Sequence, residues 1–456
     1  MAHRPTTVAA RSRGPLAARR EALQILLRVE RDRAYADVLL GRRLDGFAAA
    51  DRRLITQLVL GTLAWRGRLD FELSRHATYP LDRLAPEVLG ALRMGLFQIR
   101  ILSRIPGHAA VDTAVGLTRQ LAGRRSAGLV NAVLRKAIRC PVELPPRATD
   151  QIAYLAIAYS HPRWLVEKLI AWFGLPKAES LMSANNEPAP NVLRLNLARG
   201  TAEDLVALLV RDGMTIARRS RFPETVILDS APVLNGETWR GGLFQPQAEA
   251  SQIVSRLLAP CARAVVIDCA AAPGGKATHL AELVGPGGRV LALDLNFPGL
   301  LKVRSSADRL DHRNVLIARA DASIALPVLA RSAGFVLLDA PCTGLGTLRE
   351  HPELRWRLRE EDIDRMATLQ RSMLRQAATA VAPGGALAYA VCSIAPQEGP
   401  DVVRAFLAEH SDFTIDQKPA IAEQLVDLLD NNGFVQTRPD VDRLDGFFAA
   451  RMTRRM

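Results

Sequence analysis

Lysine is nearly missing from this chain: only six of its 60 basic side chains are Lys, and the rest are Arg. Cysteine is sparse too. The five thiols, Cys140, Cys261, Cys269, Cys342 and Cys392, are odd in number, scattered and without a CxxC pair. That excludes a disulfide framework and a cysteine-based zinc site, and no metal is expected. The same usage fits a reducing cytosol, so a cytoplasmic location is expected. Nowhere do about 18 apolar residues run together, which leaves neither a membrane span nor a secretory core. Also missing are the GxGxxG and Walker patterns of nucleotide sites and any internal repeat or low-complexity tract.

What the chain has instead is positive charge. Its 456 residues leave room for two or three domains, and 48% hydrophobic with 23% charged residues is ordinary for globular protein. A formal charge of +13 favours a polyanionic partner, because a basic surface attracts phosphate over roughly a Debye length, on the order of 10 Å. An Arg fork suits bidentate phosphate contacts better than the point charge of Lys, so nucleic acid is the first candidate. For any single Arg the bland alternative is a solvated helix face. The opening residues carry Arg4, Arg11, Arg13, Arg19 and Arg20 and no acid before Glu21. They read as a basic arm, although an organellar transit peptide has a similar composition.

Three regions follow. Over residues 16–140 apolar side chains recur at helical spacing, as in Val88, Leu89, Leu92 and Leu96, which predicts an all-α bundle punctuated at Pro86 and at Ile105-Pro106-Gly107. After the Pro-rich stretch Cys140–Pro146, residues 148–242 mix helical segments with extended ones at Asn191–Leu197 and Thr225–Leu228, a small α+β module. In residues 243–456 short apolar runs alternate with helical stretches: Val265–Asp268, Val290–Asp294, Val315–Ala318 before Asp321, Phe335–Asp339, and Ala386–Val391 before Cys392. That alternation predicts a Rossmann-like α/β domain with a mostly parallel sheet.

In an open doubly wound sheet, ligands bind beyond the carboxyl ends of the strands. Here Asp268, Asp294, Asp321, Asp339 and Cys392 would stand along that rim. One Asp after a strand is commonly a turn residue or an N-cap; five strand ends in register are not explained by core packing. Asp268 leads into Ala270-Ala271-Ala272-Pro273-Gly274-Gly275-Lys276 and a new helix. Small residues there let a ligand approach the backbone, and the helix start offers free N–H groups. An acid such as Asp294 after the second strand is the usual partner of ribose hydroxyls, so the cofactor should contain a nucleoside. Cys342 and Cys392 would follow neighbouring strands. A cytosine C5 is too poor a nucleophile to take a methyl group until a thiolate has added to C6, and Cys with a nearby Asp can supply that chemistry.

At these residues the chain resembles the Sun (RsmB and Nop) family of RNA cytosine-5 methyltransferases. The matching segments are Asp268 to Lys276 with His279, Asp339–Gly344, His351–Trp356, Tyr389–Ser393 with Glu398, and Asp445–Phe448. Upstream, Leu96-Phe97-Gln98, Pro106–Val111 and Leu129–Arg135 look like the NusB-like helical domain of the bacterial branch, and Ser160–Leu165 with Leu193–Asn196 fit its middle module. The resemblance implies an N-terminal NusB-like bundle, a small α+β module and a C-terminal class I methyltransferase domain. It implies that S-adenosyl-L-methionine is held by Ala270, Ala271, Ala272, Pro273, Gly274, Gly275, Lys276, Asp294, Asp321 and Asp339, with Asp294 on the ribose and Asp321 near the adenine. Cys392 would attack C6, Cys342 would assist release of the methylated base, and Asp339 would hydrogen-bond the cytosine; Lys276 could contact the reacting side instead.

The implied partner is RNA, first 16S ribosomal RNA or an assembling small subunit, with no DNA or membrane expected and a monomer favoured. Three positions depart from the family pattern: Cys269 directly follows Asp268, Gly299 stands where Arg is common, and Gln245-Pro246-Gln247 replaces a Gln-Asp pair. Other readings are cytosine methylation of another RNA and a non-catalytic ribosomal-RNA scaffold. A DNA cytosine methyltransferase would explain Pro341-Cys342 but not the second thiol at Cys392, and the DPPY pattern of amine-directed enzymes is missing.

Overall fold

The computed structural model describes residues 16–44, 46–417, 419 and 421–456. Most of the basic arm therefore lies outside the described residues, while Arg19 and Arg20 fall in the first helix. The chain divides into two compact units, residues 1–188 with 348–357, and residues 189–347 with 358–456. This division cuts the 148–242 stretch at Pro188 and assigns an internal segment of the second unit's sequence to the first.

The first unit is helical: α1 Ala17–Arg31, α2 Ala36–Arg43, α3 Ala49–Ala64, α4 Arg66–His76, α5 Pro86–Arg100, α6 Gly107–Arg139 with a kink at Gly123, α7 Gln151–Ala158, α8 Arg163–Phe173 and α9 Leu175–Ala184. The predicted spacing holds because Leu23, Leu26, Leu58, Leu92, Leu96, Val130 and Leu134 share one core. Each such buried side chain contributes about 1.5–3 kcal/mol.

Leu348–Arg357 completes this unit by meeting helix ends with matching charge. The Glu353 carboxylate accepts from Ala36 N, the first residue of α2, at 2.9 Å, where the helix dipole favours an anion. The fully buried Arg355 guanidinium donates to Ala64 O at the end of α3, to Asn185 O after α9, to Ser160 O, to Asn186 Oδ1 and to Leu348 O, over 2.8–3.4 Å. Carbonyls at helix C-termini suit a cation. Burial nevertheless pulls Arg355 down to about 9. Trp356 Nε1 donates to Leu63 O at 2.9 Å, and Arg357 donates to the Val29 carbonyl in the last turn of α1 and to those of Arg33 and Ala34 beyond its end.

The second unit contains two sheets. Four short strands, β1 Asn191–Leu195, β2 Ile216–Arg219, β3 Thr225–Leu228 and β4 Phe244–Pro246, pair antiparallel in the order β2-β3-β1-β4. Helix Ala202–Arg211, capped by Thr201, covers one face through Leu205 and Leu209 against Leu193, Val226 and Phe244.

The large sheet holds β5 Val265–Asp268, β6 Arg289–Asp294, β7 Val315–Arg319, β8 Ala333–Asp339, β9 Val381–Val391, β10 Phe413–Ile415, β11 Phe434–Thr437 and β12 Phe447–Arg454. Its order is β10-β12-β9-β8-β5-β6-β7, with β11 also on β12. The five strands from β5 to β9 are parallel and β12 runs antiparallel to β9. Alternate residues feed opposite cores. Val266, Val290, Leu337 and Ala388 face helices 249–258, 275–284 and 297–310, while Ile267, Leu293, Leu338 and Leu387 face helices 361–380 and 400–409. Burial on both faces is why these strands read as unbroken apolar runs.

Candidate active site

Parallel pairing of β5 to β9 brings the carboxyl ends of all five strands to one rim. After β5 the chain turns through Ala270–Gly274 into helix Gly275–Val284. At Gly274 φ is +113°, and a Cβ there would lie 2.9 Å from Val303 Cα, so no other residue fits this turn. Asp294, ending β6, accepts from Ala272 N at 2.9 Å and Asn296 N at 2.8 Å, which fixes the loop's height above the sheet. Gly299 has a packing cause: a Cβ would stand 2.7 Å from that of Ala272. Asp321 behaves as a turn residue, its carboxylate accepting from Ser323 N and Oγ; those bonds hold its carboxyl below the usual range.

The other predicted residues converge. Lys276 Nζ lies 2.7 Å from Asp339 Oδ2 and 5.4 Å from the Phe447 ring centre. Burial pulls its ammonium down, but attraction to Asp339, with Cys392 and Asp268 adding to it, holds it above its ordinary value. Asp268 is fully buried, and burial, with Asp339 next, pushes its carboxyl up to about 7 against the pull of Lys276 and the Ala270 N–H. Cys269 is buried and its thiol is pushed up by that burial.

Cys342 and Cys392 are both partly exposed, and their sulfurs are 3.2 Å apart. Their strands pair in register, Asp339 opposite Ala390, so three and two residues further on the thiols meet. The Cys342 thiol is pushed well up, first by its hydrogen bond to Cys392 and then by burial.

Two features holding the thiols were not read from the sequence. Glu398, fully buried, accepts from Thr343 N at 2.9 Å, Gln370 Nε2 at 3.0 Å and the Thr343 and Ser393 hydroxyls. Thr343 follows Cys342 and Ser393 follows Cys392, so one carboxylate ties both loops. The acid was visible as a motif position; its partners were not. Gly346 N donates to Cys392 O at 3.1 Å while Gly446 N donates to Gly346 O at 2.8 Å, and a Cβ on Gly346 would lie 1.8 Å from Gly446 O. Arg194 was likewise assigned no task. Fully buried, it donates from β1 to Gly275 O, Thr278 Oγ1, Glu282 Oε1 and Gln247 Oε1, gripping the helix that starts at the glycine turn. Gln247 thereby acquires a role in one of the segments that departed from the family pattern.

Comparison with known proteins bears on the whole chain. Residues 16–139 match the NusB family, residues 161–234 the RsmF/B-like ferredoxin-like domain, and residues 255–453 the family described as 16S rRNA methyltransferase RsmB/F. A protein of Bacillus subtilis named probable ribosomal RNA small subunit methyltransferase B is 31% identical over 439 residues, covering 95% of this chain and 98% of its own. Ribosomal RNA small subunit methyltransferase B of Pseudomonas putida is 33% identical over 82% of this chain and 87% of its own. The crystal structure of PH0851 superposes with a TM-score of 0.82 at 27% identity, covering 96% of this chain and 99% of that one. NSun6 from Pyrococcus horikoshii, solved with SFG, shares the fold at 22% identity and a TM-score of 0.57, over 64% of this chain and 98% of that one. With the glycine turn and the paired thiols at the expected rim and relatives matching from end to end, the chain belongs to the RsmB/F family and is an S-adenosylmethionine-dependent RNA methyltransferase.

Proposed function

We propose that this enzyme methylates C5 of a cytosine in 16S ribosomal RNA through a covalent bond between Cys392 and C6 of the base. The observation that carries the reading is the 3.2 Å approach of Cys342 and Cys392 beside the Lys276–Asp339 pair. A base bound over these groups meets a nucleophile, a second thiol and a charged hydrogen-bonding pair together. The cofactor supplies an electrophilic methyl carbon, and the residues present fit it. Ala270 to Gly275 form a small-residue cradle whose helix start offers free N–H groups, and a Cβ at Gly274 would lie 2.9 Å from Val303 Cα. Asp294, Asp321 and Lys276 line the same rim and would hold the cofactor there, Asp294 as the acceptor for its ribose hydroxyls.

In the chemistry that follows, Cys392 Sγ adds to C6 and makes C5 nucleophilic. Asp339 accepts from the N4 amino group and Lys276 donates to N3, offsetting the charge that develops there. Once C5 carries the methyl group its proton must leave, and Cys342, the thiol against the attacking sulfur, assists the elimination that frees Cys392. The target base has to leave its stack for this, since C5 and C6 are covered inside a helix. Relatives named for the small ribosomal subunit favour that RNA as substrate, and the net charge of +13 favours phosphate contacts.

The test is transfer of labelled methyl to unmodified small-subunit RNA, mapped as 5-methylcytosine, for wild type, Cys392→Ala and Cys342→Ala. Wild type should transfer, Cys392→Ala should not, and Cys342→Ala should accumulate a protein–RNA adduct. Transfer by Cys392→Ala would move the attack elsewhere, and normal release by Cys342→Ala would remove its assigned role.

A further inference from the structure

We propose that Cys342 and Cys392 are also an oxidation site, closing to a reversible disulfide when the protein meets a peroxide. Their sulfurs stand 3.2 Å apart, and a disulfide is ~2.05 Å long, so closure needs about 1 Å of sulfur movement. Side-chain torsion covers that distance. The two loops have little freedom to separate: strand register pairs Asp339 with Ala390, Gly346 N holds Cys392 O, and Glu398 binds the residue after each thiol. Both thiols are partly exposed, as attack by a small oxidant requires. Lys276, held against Asp339 at 2.7 Å, puts a cation on the same rim, and a cation near a partly open thiol is the setting in which cysteines are oxidised.

The reaction balances without another component. Cys392 Sγ, as thiolate, attacks one oxygen of hydrogen peroxide, the O–O bond breaks, and hydroxide leaves a sulfenic acid on Cys392. Cys342 Sγ then attacks that sulfur, the S–O bond breaks, and the departing hydroxide takes the Cys342 proton as water. Two sulfurs lose two electrons, peroxide gains them, and the first hydroxide takes up the proton that left the Cys392 thiol, so the products are a disulfide and two waters. A dithiol reductant restores both thiols by exchange. The bond blocks the sulfur proposed to attack cytosine and shields it from irreversible sulfinic acid. The loss of activity rests on the proposed role of Cys392, whereas the bond rests on the geometry alone.

Full-length protein carrying Cys140→Ser and Cys261→Ser, which removes the exposed thiols, is treated with hydrogen peroxide, blocked with N-ethylmaleimide, digested and analysed by mass spectrometry. The expected product is a peptide linking Cys342 to Cys392 with loss of two hydrogens. Methyl transfer should fall by more than about tenfold and return with dithiothreitol. In the Cys342→Ser variant Cys392 should instead advance to sulfinic acid that dithiothreitol does not reverse. Both thiols recovered alkylated after peroxide, or Cys392 over-oxidised without a link in the protein that retains Cys342, would overturn the proposal. A link with undiminished methyl transfer would uphold the disulfide and refute Cys392 as the attacking thiol.

Discussion

Replacing Glu398 by Ala tests whether one buried carboxylate organises the site. Its oxygens accept from Thr343 N, Gln370 Nε2 and the hydroxyls of Thr343 and Ser393. A hydrogen bond to a charged group contributes about 1.5–3 kcal/mol, so four would sum to roughly 6–12 kcal/mol. That sum is too large, because the two hydroxyls lie 3.2 Å apart and can serve each other, and water can enter the space left. Breaking one side of a buried charged network costs about 3–5 kcal/mol, which in a unit of this size lowers Tm by roughly 10 °C. Glu398→Gln keeps the volume and one carbonyl oxygen and should cost only about 1–2 kcal/mol. Because the carboxylate ties the loops of both thiols, the Gln variant should also lose about tenfold in kcat through misplacement of the sulfurs, with KM for RNA unchanged. Calorimetry and labelled-methyl kinetics read both effects. A Glu398→Ala protein with wild-type Tm and kcat would show that the clamp holds nothing.

Arg355→Lys should destabilise the helical unit by about 2–3 kcal/mol, since an ammonium cannot reach the five acceptors that the guanidinium fork serves; unchanged hydrogen exchange at the ends of α3 and α9 would refute this. Asp268, held up at about 7, binds its proton more tightly folded than unfolded, so its contribution to stability falls as pH rises from about 4 to about 7 and then levels, by at most ~4 kcal/mol. Denaturant midpoints should accordingly shift in favour of Asp268→Asn between acidic and neutral pH, and a pH-independent difference between variant and wild type would contradict the assignment. RNA affinity should fall by at least about tenfold between 50 and 200 mM salt, whereas equal affinity in a filter-binding titration would remove the electrostatic account of substrate capture.

Periodicity and strand-end residues were enough to read the bundle, the βαβ series and most of the rim from the sequence, because each depends on residues close together in the chain. The strand ends put each thiol at the rim, but the register that sets Cys342 against Cys392, 50 residues on, is tertiary; the Ala270–Lys276 turn is written in residues that leave no space for others. Asp321 also shapes its own turn by accepting from Ser323, two residues on. What only the tertiary structure decided is carried by contacts distant in sequence: the carboxylate of Glu398 between two loops, Arg194 reaching across to Gly275 and Glu282, and Leu348–Arg357 completing the helical unit with charges set against helix ends. Composition and spacing report which side chains a segment has to bury or expose. They do not report which donor meets which acceptor, because a buried charge is tolerated only where the fold brings its partners to it.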